Sequence, residues 1–92
     1  MPTSAYDQVR AVFARLLPLV ERAGGLASTV YKVRVFATDI ADTASILQGM
    51  SDALDGIRPT ATLVEVSGLA SPGALVEIEI EALAVTELSD GA

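Results

Sequence analysis

Residues 74–85, ALVEIEIEALAV, alternate apolar and acidic side chains. Successive side chains of a β-strand point to opposite faces of a sheet, so Val76, Ile78 and Ile80 share one face with Ala82 and Ala84. The other face carries Glu77, Glu79 and Glu81. Three carboxylates in a row repel one another unless water, cations or a partner's surface receives them. The stretch therefore predicts a strand with one face on a core and one acidic face.

The size of the chain fits one domain, residues 1–92, because a second domain would have too little core of its own. Apolar residues make up 51% of the chain but only four residues are aromatic, so the core must be built from Val, Leu, Ile and Ala. A surplus of such residues on a small domain often covers a subunit interface.

Charge and missing residue types exclude several functions. Twelve acidic residues against six basic ones give a net charge of -6, which disfavours binding to nucleic acid or to an anionic membrane. No apolar run approaches the length of a membrane span and the N-terminus lacks a signal-peptide pattern, which predicts a soluble, cytoplasmic protein. Without Cys or His the chain has no disulfide, no thiol nucleophile, no Ser–His–Asp triad and few routes to a metal site. We expect no metal and no cofactor.

Periodicity predicts the element order α-β-α-β-β, with helices over 3–25 and 42–56 and strands over 28–38, 60–66 and 74–86. Ser4 and Asp7 are spaced like a capping box, and the glycines at 24 and 25 supply a stop. Asp42 is the predicted cap of the second helix. The buried stripe predicted for that helix comprises Ile46, Leu47, Met50, Ala53 and Leu54.

The first strand has two predicted faces, one formed by Tyr31, Val33, Val35 and Ala37 and the other by Val30, Lys32, Arg34 and Phe36. A helix between the first two strands predicts a crossover, and the short link between the last two predicts antiparallel pairing. The predicted fold class is α+β, with two helices on one face of a mixed sheet. The other face, part charged and part apolar, is predicted to be an assembly surface. The tail, residues 89–92, is expected to fray.

Three stretches resemble the Rid family, also called YjgF or L-PSP proteins: VYKVRVFATDIAD at 30–42, RPTATLVEVSGL at 58–69 and ALVEIEIEALAV at 74–85. The likeness runs from about residue 8 to residue 85. It implies a chorismate-mutase-like α+β fold, a homotrimer, and small-molecule clefts between subunits. It also implies hydrolysis of reactive enamines and imines, such as 2-aminoacrylate, to keto acids and ammonia.

The same resemblance predicts the site residues and reveals departures. Glu79 matches a family glutamate that orients water near the substrate, so it is the predicted catalytic residue. Ala61 occupies the place of the family's carboxylate-binding arginine, and an alanine methyl cannot make that charge-assisted contact. Ala61 and Thr62 would border the substrate, with Arg34 as a further candidate contact. The chain begins almost at its first helix, where the family has a substrate-contacting β-hairpin.

Several hypotheses remain open at this point. One hypothesis is a deaminase for a small enamine or imine, bound without strong carboxylate recognition. Alternatively it is a non-catalytic interaction or scaffold subunit that assembles with itself or with a full-length relative, or a shortened chain with a misplaced start. For Lys32 and Arg34, pairing with glutamate is favoured over Schiff-base chemistry or substrate binding, and solvation explains Glu77 and Glu81. The absence of His and of a basic groove argues against a ribonuclease.

Overall fold

A computed structural model describes residues 1–85, and the tail predicted to fray lies outside that range. The predicted order of elements is confirmed. Helix α1 spans Ala5–Arg22 and α2 spans Thr43–Leu54; strands β1, β2 and β3 span Val30–Ala37, Thr60–Glu65 and Val76–Ala82. Short 3₁₀ turns, Ala27–Thr29 and Ile40–Asp42, flank β1. None of the helices within the described range is long and apolar enough to span a membrane.

Both helix starts illustrate how side chains satisfy free backbone donors. At α1 the Ser4 hydroxyl accepts a hydrogen bond from the Asp7 N–H at 3.1 Å, as its spacing predicts. At α2 Asp42 occupies the N-cap position, as predicted, but its side chain makes no capping hydrogen bond. The capping carboxylate acts three residues earlier, where Asp39 accepts from the Ala41 N–H at 2.9 Å in the 3₁₀ turn.

The face that α2 buries differs from the predicted stripe in one position. Ile46, Met50 and Leu54 are buried, while Leu47 is 45% exposed. The buried positions of α2 are therefore 46, 49, 50 and 54, and Leu47 lies one residue off the row that runs through Ile46 and Met50. Gly49 takes part in the contact with α1, because a Cβ placed on it would lie 3.1 Å from the Tyr6 carbonyl oxygen.

The sheet has the strand order β2-β1-β3. β1 and β2 are parallel, which confirms the crossover. β3 is antiparallel to β1 and lies on its other side, so the predicted pairing of the last two strands is wrong. Residues 66–75 cross the end of β1: the Val66 N–H donates to the Ala37 carbonyl oxygen, and the Thr38 N–H donates to the Leu75 carbonyl oxygen.

A β-bulge at Tyr31 corrects the predicted faces of β1. Val30 pairs with Ala82 and Lys32 with Glu81, so Tyr31 is the extra residue. Val30 is consequently buried with Val33, while Tyr31 is exposed. Strict alternation predicts the opposite faces for Val30 and Tyr31. That prediction is wrong because the inserted residue reverses the alternation on the N-terminal side of the bulge.

The core lies between the helices and one sheet face. It comprises Ala5, Val9, Phe13, Val30, Val33, Val35, Ala37, Ile46, Met50, Leu54 and Val76. Gln8 is the buried polar side chain within the described range. Its amide nitrogen donates to the Pro2 and Gly73 carbonyl oxygens at 2.8 and 3.0 Å, and its oxygen accepts from the Leu75 N–H at 2.7 Å.

Candidate functional site

The sheet face away from the helices, here called the open face, presents three cross-strand rows. The register aligns one residue of each strand in each row: Thr60–Lys32–Glu81, Thr62–Arg34–Glu79 and Val64–Phe36–Glu77. The bulge ends before Lys32, so alternation holds along all three rows. The middle row brings together three of the four predicted site residues, namely Thr62, Arg34 and Glu79.

Ala61 does not lie on the open face. It pairs with Val33, whose side chain is buried beneath the helices, so Ala61 belongs to the helix-facing side of the edge strand β2. Within one subunit, Ala61 and Glu79 therefore stand on opposite faces of the sheet. Arg58 precedes β2 and is exposed.

Arg34 holds two of the three open-face carboxylates. Its Nη1 donates to Glu79 Oε1 at 2.9 Å and its Nη2 donates to Glu81 Oε2 at 3.0 Å. This is the ion pairing predicted for Arg34, and it engages the guanidinium with carboxylates of its own chain. Lys32 stands opposite Glu81 in the register, but within residues 1–85 it makes no ion pair shorter than 4.0 Å.

Tyr31 is a member of this cluster that the sequence analysis missed. Its hydroxyl donates to Glu81 Oε1 at 2.8 Å, so both oxygens of that carboxylate are bonded. The Tyr31 hydrogen bond is the main cause that lowers the pKa of Glu81, with smaller contributions from the charges of Lys32 and Arg34. The same contact raises the pKa of Tyr31. Only the bulge, which leaves no clear signal in the sequence, brings this phenol to the open face.

A second tyrosine–carboxylate pair joins the two helices. The Tyr6 hydroxyl donates to Asp52 Oδ2, and the Gln48 amide donates to the other oxygen at 2.9 Å. The Tyr6 bond is the main cause that lowers the pKa of Asp52. The chain thus contains two tyrosines, and each one depresses the pKa of a different carboxyl.

Exchanging the tyrosines one at a time is expected to raise one carboxyl pKa selectively. Tyr31→Phe should move the pKa of Glu81 up toward its ordinary 4.5 and leave Asp52 unchanged. Tyr6→Phe should do the reverse, moving Asp52 toward 3.8. Side-chain carboxyl ¹³C shifts followed against pH would measure both. An unchanged Glu81 pKa in Tyr31→Phe, or an equal shift of Glu81 in both variants, would contradict the assignment of this pKa to the Tyr31 hydrogen bond.

The pKa direction also fixes how stability depends on pH. A carboxyl whose pKa is lowered by folding stabilises the native state above its unfolded pKa, and this contribution is lost as the pH falls through the folded pKa. Glu81 and Asp52 therefore contribute at neutral pH and stop contributing in acid. Because both groups are exposed, we expect the effect on the thermal midpoint to be small.

Glu79 has one oxygen available for chemistry. Arg34 binds Oε1, while Oε2 has no hydrogen-bond partner within the described residues, and the side chain is 54% exposed. A carboxylate held at one oxygen and free at the other can accept a proton from a water molecule. No group of three carboxylates in residues 1–85 is arranged to hold a metal ion.

Comparison with known proteins agrees with this fold. The family model described as Endoribonuclease L-PSP matches residues 1–85. A structure of a YjgF/YER057c/UK114 family member from Mycobacterium tuberculosis is 32% identical with a TM-score of 0.84, covering 92% of this chain and 71% of that one. A protein of unknown function from Pseudomonas aeruginosa is 36% identical with a TM-score of 0.83, covering 97% and 64%. No functionally curated protein matches the chain.

A Rid family protein from Yersinia pestis is also similar, with 31% identity and a TM-score of 0.81, covering 92% of this chain and 67% of that one. The chain thus spans about two thirds of the length of these relatives. Two helices on one face of a three-stranded mixed sheet reproduce their chorismate-mutase-like fold. The chain belongs to the Endoribonuclease L-PSP family, the family of the YjgF and Rid proteins.

Proposed function

We propose that the protein is a Rid-type hydrolase of a small enamine or imine, with Glu79 as its catalytic base. The observation that carries the proposal is the middle row of the open face, where Arg34 fixes one oxygen of Glu79 and leaves the other exposed. Thr62 stands on the other side of Arg34 in the same row and can offer a hydroxyl to a ligand.

The reaction consumes one water molecule and runs from enamine through imine to carbonyl product. An enamine first gains a proton from solvent at its terminal carbon and loses one proton from its nitrogen to solvent, which makes the imine. Water then adds to the imine carbon while Glu79 Oε2 takes one of its protons, and that proton passes to the nitrogen. In the resulting carbinolamine the C–N bond breaks while the hydroxyl proton is transferred to the departing nitrogen, which leaves ammonia and the carbonyl product.

The site as proposed is completed by another copy of the chain, in a homotrimer or another closed ring. Half-buried Phe36 and 41%-exposed Val64 form one row of the open face beside the charged rows, so the face combines apolar and ionic contacts. Since Ala61 and Glu79 lie on opposite faces of one sheet, a cleft between subunits is what would place both beside one ligand. Oligomers of this size are commonly symmetric and closed.

Substrate preference follows from Ala61. A methyl group cannot bind a carboxylate, and Arg34 is already engaged by two glutamates. The proposed substrate is therefore a small imine or enamine with little negative charge. A ribonuclease is not proposed, because a chain with a net charge of -6 repels a phosphate backbone.

Carbonyl release from a neutral imine and from enzymatically generated 2-aminoacrylate tests the proposal. Glu79→Gln should lower turnover of the preferred substrate by about 10²–10⁴-fold, the usual contribution of a general base. The control is Glu65→Gln, which removes a sheet carboxylate from the helix-facing row and keeps an oxygen to accept from the Ile40 N–H. Ala61→Arg should raise activity on 2-aminoacrylate alone. A Glu79→Gln variant as active as the natural chain would contradict the assignment.

A second candidate function is a non-catalytic subunit that assembles with itself or with a full-length relative. It is favoured by the engagement of Arg34 with two carboxylates of its own chain. Light scattering after size exclusion separates the two functions. A homogeneous oligomer with turnover supports the hydrolase, and an inactive species that becomes uniform only with a relative supports the scaffold.

A further inference from the structure

Four side chains of the open face form one continuous chain of hydrogen bonds. The Tyr31 hydroxyl donates to Glu81 Oε1 at 2.8 Å, and Arg34 Nη2 donates to the other oxygen of the same carboxylate at 3.0 Å. Arg34 Nη1 then donates to Glu79 Oε1 at 2.9 Å. Tyr31 therefore lies at one end of this chain and the proposed base at the other.

Arg34 is divided between two carboxylates instead of being paired with one. A guanidinium commonly binds a single carboxylate through two parallel hydrogen bonds. Glu79 stands directly opposite Arg34 in the register, while Glu81 lies two residues further along β3, about 6.7 Å away. Sharing the guanidinium therefore requires Glu81 to be held on the diagonal with one oxygen toward Arg34.

Tyr31 is the group that holds Glu81 in this position. Its hydroxyl occupies Oε1, so Glu81 engages one guanidinium nitrogen and leaves the other for Glu79. Lys32 stands opposite Glu81 in the register, but among residues 1–85 the two form no ion pair. The Tyr31 bond is also the main cause of the lowered pKa of Glu81, which keeps this carboxylate charged at neutral pH.

The bulge that carries Tyr31 is stabilised from the neighbouring strand. Tyr31 has no partner in the register of β1 with β3, and its carbonyl oxygen accepts a hydrogen bond from Thr60 Oγ1 of β2 at 3.0 Å. Bulges often re-aim a side chain beside an active site. Here the bulge places the phenol on the open face, where it reaches Glu81.

We propose that Tyr31 is a positioning residue: it holds Glu81 so that Arg34 is shared, and the shared Arg34 fixes Glu79 Oε1 and leaves Oε2 open. This role rests on the proposed function of Glu79. Without the phenol hydroxyl, Arg34 is free to form two bonds with one carboxylate. Two bonds to Glu79 would cover the oxygen that accepts the proton, and two bonds to Glu81 would leave Glu79 Oε1 unsupported. Either arrangement slows the chemical step.

Steady-state kinetics on the neutral imine test this role, with Tyr6→Phe as the matched control. Tyr31→Phe should lower kcat about tenfold and leave KM within about twofold, because the phenol acts on the base and not on substrate binding. Tyr6→Phe removes the hydroxyl of the tyrosine–carboxylate pair between the helices and should change neither constant. Equal effects of the two tyrosine variants would overturn the proposal.

A double-mutant cycle with Glu81→Gln tests whether the phenol acts through Glu81. Once Glu81→Gln is present, adding Tyr31→Phe should lower kcat no further, because residues of one hydrogen-bond network are not additive. Additive losses would overturn the proposal.

Side-chain NMR measures the same coupling without turnover. At neutral pH the Nη resonances of Arg34 and the carboxyl carbon resonance of Glu79 should shift in Tyr31→Phe and stay in place in Tyr6→Phe. Unmoved resonances in Tyr31→Phe would overturn the proposal even where Glu79→Gln abolishes turnover. A fully active Glu79→Gln variant would overturn the proposed function and the catalytic part of this role, while the resonances decide separately whether Tyr31 holds Arg34 in place.

Discussion

Gln8→Leu is expected to destabilise the protein by about 3 kcal/mol, which lowers the thermal midpoint of a domain this size by roughly 12–24 °C. Gln8 is only 4% exposed and makes three hydrogen bonds to backbone groups. Leucine preserves the volume but leaves the Leu75 N–H without its acceptor and two carbonyl oxygens without their donor. An orphaned buried polar group costs about 1–3 kcal/mol.

The effect is large because Gln8 connects distant parts of the chain. Its amide joins the N-terminal segment, α1 and the turn before β3, so one side chain fixes where the edge strand begins. Most buried Gln side chains can satisfy their amides only where backbone groups converge in this way. Loss of Gln8 should therefore loosen the Val76 end of β3 first, and amide exchange would report it there.

Two further variants separate hydrogen bonding from packing. Gln48→Leu changes the other glutamine of the chain, which is exposed and bonds Asp52, so we expect a loss below about 0.5 kcal/mol. Gln8→Glu keeps an acceptor for the Leu75 N–H but faces two carbonyl oxygens. Burial and these oxygens raise the pKa of the new carboxyl. The loss in free energy of unfolding of Gln8→Glu relative to the natural protein should therefore shrink as the pH falls through that pKa. A Gln8→Leu variant as stable as Gln48→Leu would show that the three bonds contribute nothing.

Local patterns predicted the elements, whereas their arrangement depended on contacts that no local pattern encodes. Period-two alternation identified β3 and the apolar spacing identified α1, because burial of one face imposes both periods. The pairing of β2 with β3 was wrong because residues 66–75 are long enough to cross the end of β1. The exposure of Tyr31 was missed because a bulge inserts one residue without changing composition.

The candidate site was also predictable only in part from the sequence. Pairing of Arg34 with a glutamate could be predicted from the sequence, because opposite charges across a sheet attract. Which glutamates it binds depends on the pairing of β1 with β3, which the sequence did not predict. The placement of Ala61 on the other face follows from the parallel register of β2 with β1, which sequence reasoning did not fix. Gln8 did leave a signal, since it occupies the same helical stripe as Ala5, Val9 and Phe13, where an amide is out of place unless it is fully bonded.

Gly49→Val is expected to destabilise the protein by about 3 kcal/mol by forcing the two helices apart. A Cβ at Gly49 would lie 3.1 Å from both the Tyr6 carbonyl oxygen and the Val9 Cβ, and 3.2 Å from Val9 Cγ1. The Tyr6 oxygen belongs to the backbone of α1 and cannot rotate away. Val9 is fully buried, so its side chain has little room to move. The added volume must therefore be accommodated by shifting one helix relative to the other.

The Gly49→Ala variant tests whether the contact between the two helices has room for a methyl group. Alanine gains about 1 kcal/mol of helix propensity over glycine, while overpacking a tight contact costs about 1–3 kcal/mol, so we expect a net loss of about 1 kcal/mol. Ala44→Val at an exposed position of α2 measures the β-branched penalty alone, which is subtracted from the Gly49→Val result. Urea unfolding of the three variants gives the free energies. If Gly49→Ala gains the full propensity term, the crossing has room for a methyl group, and the glycine is not required by packing.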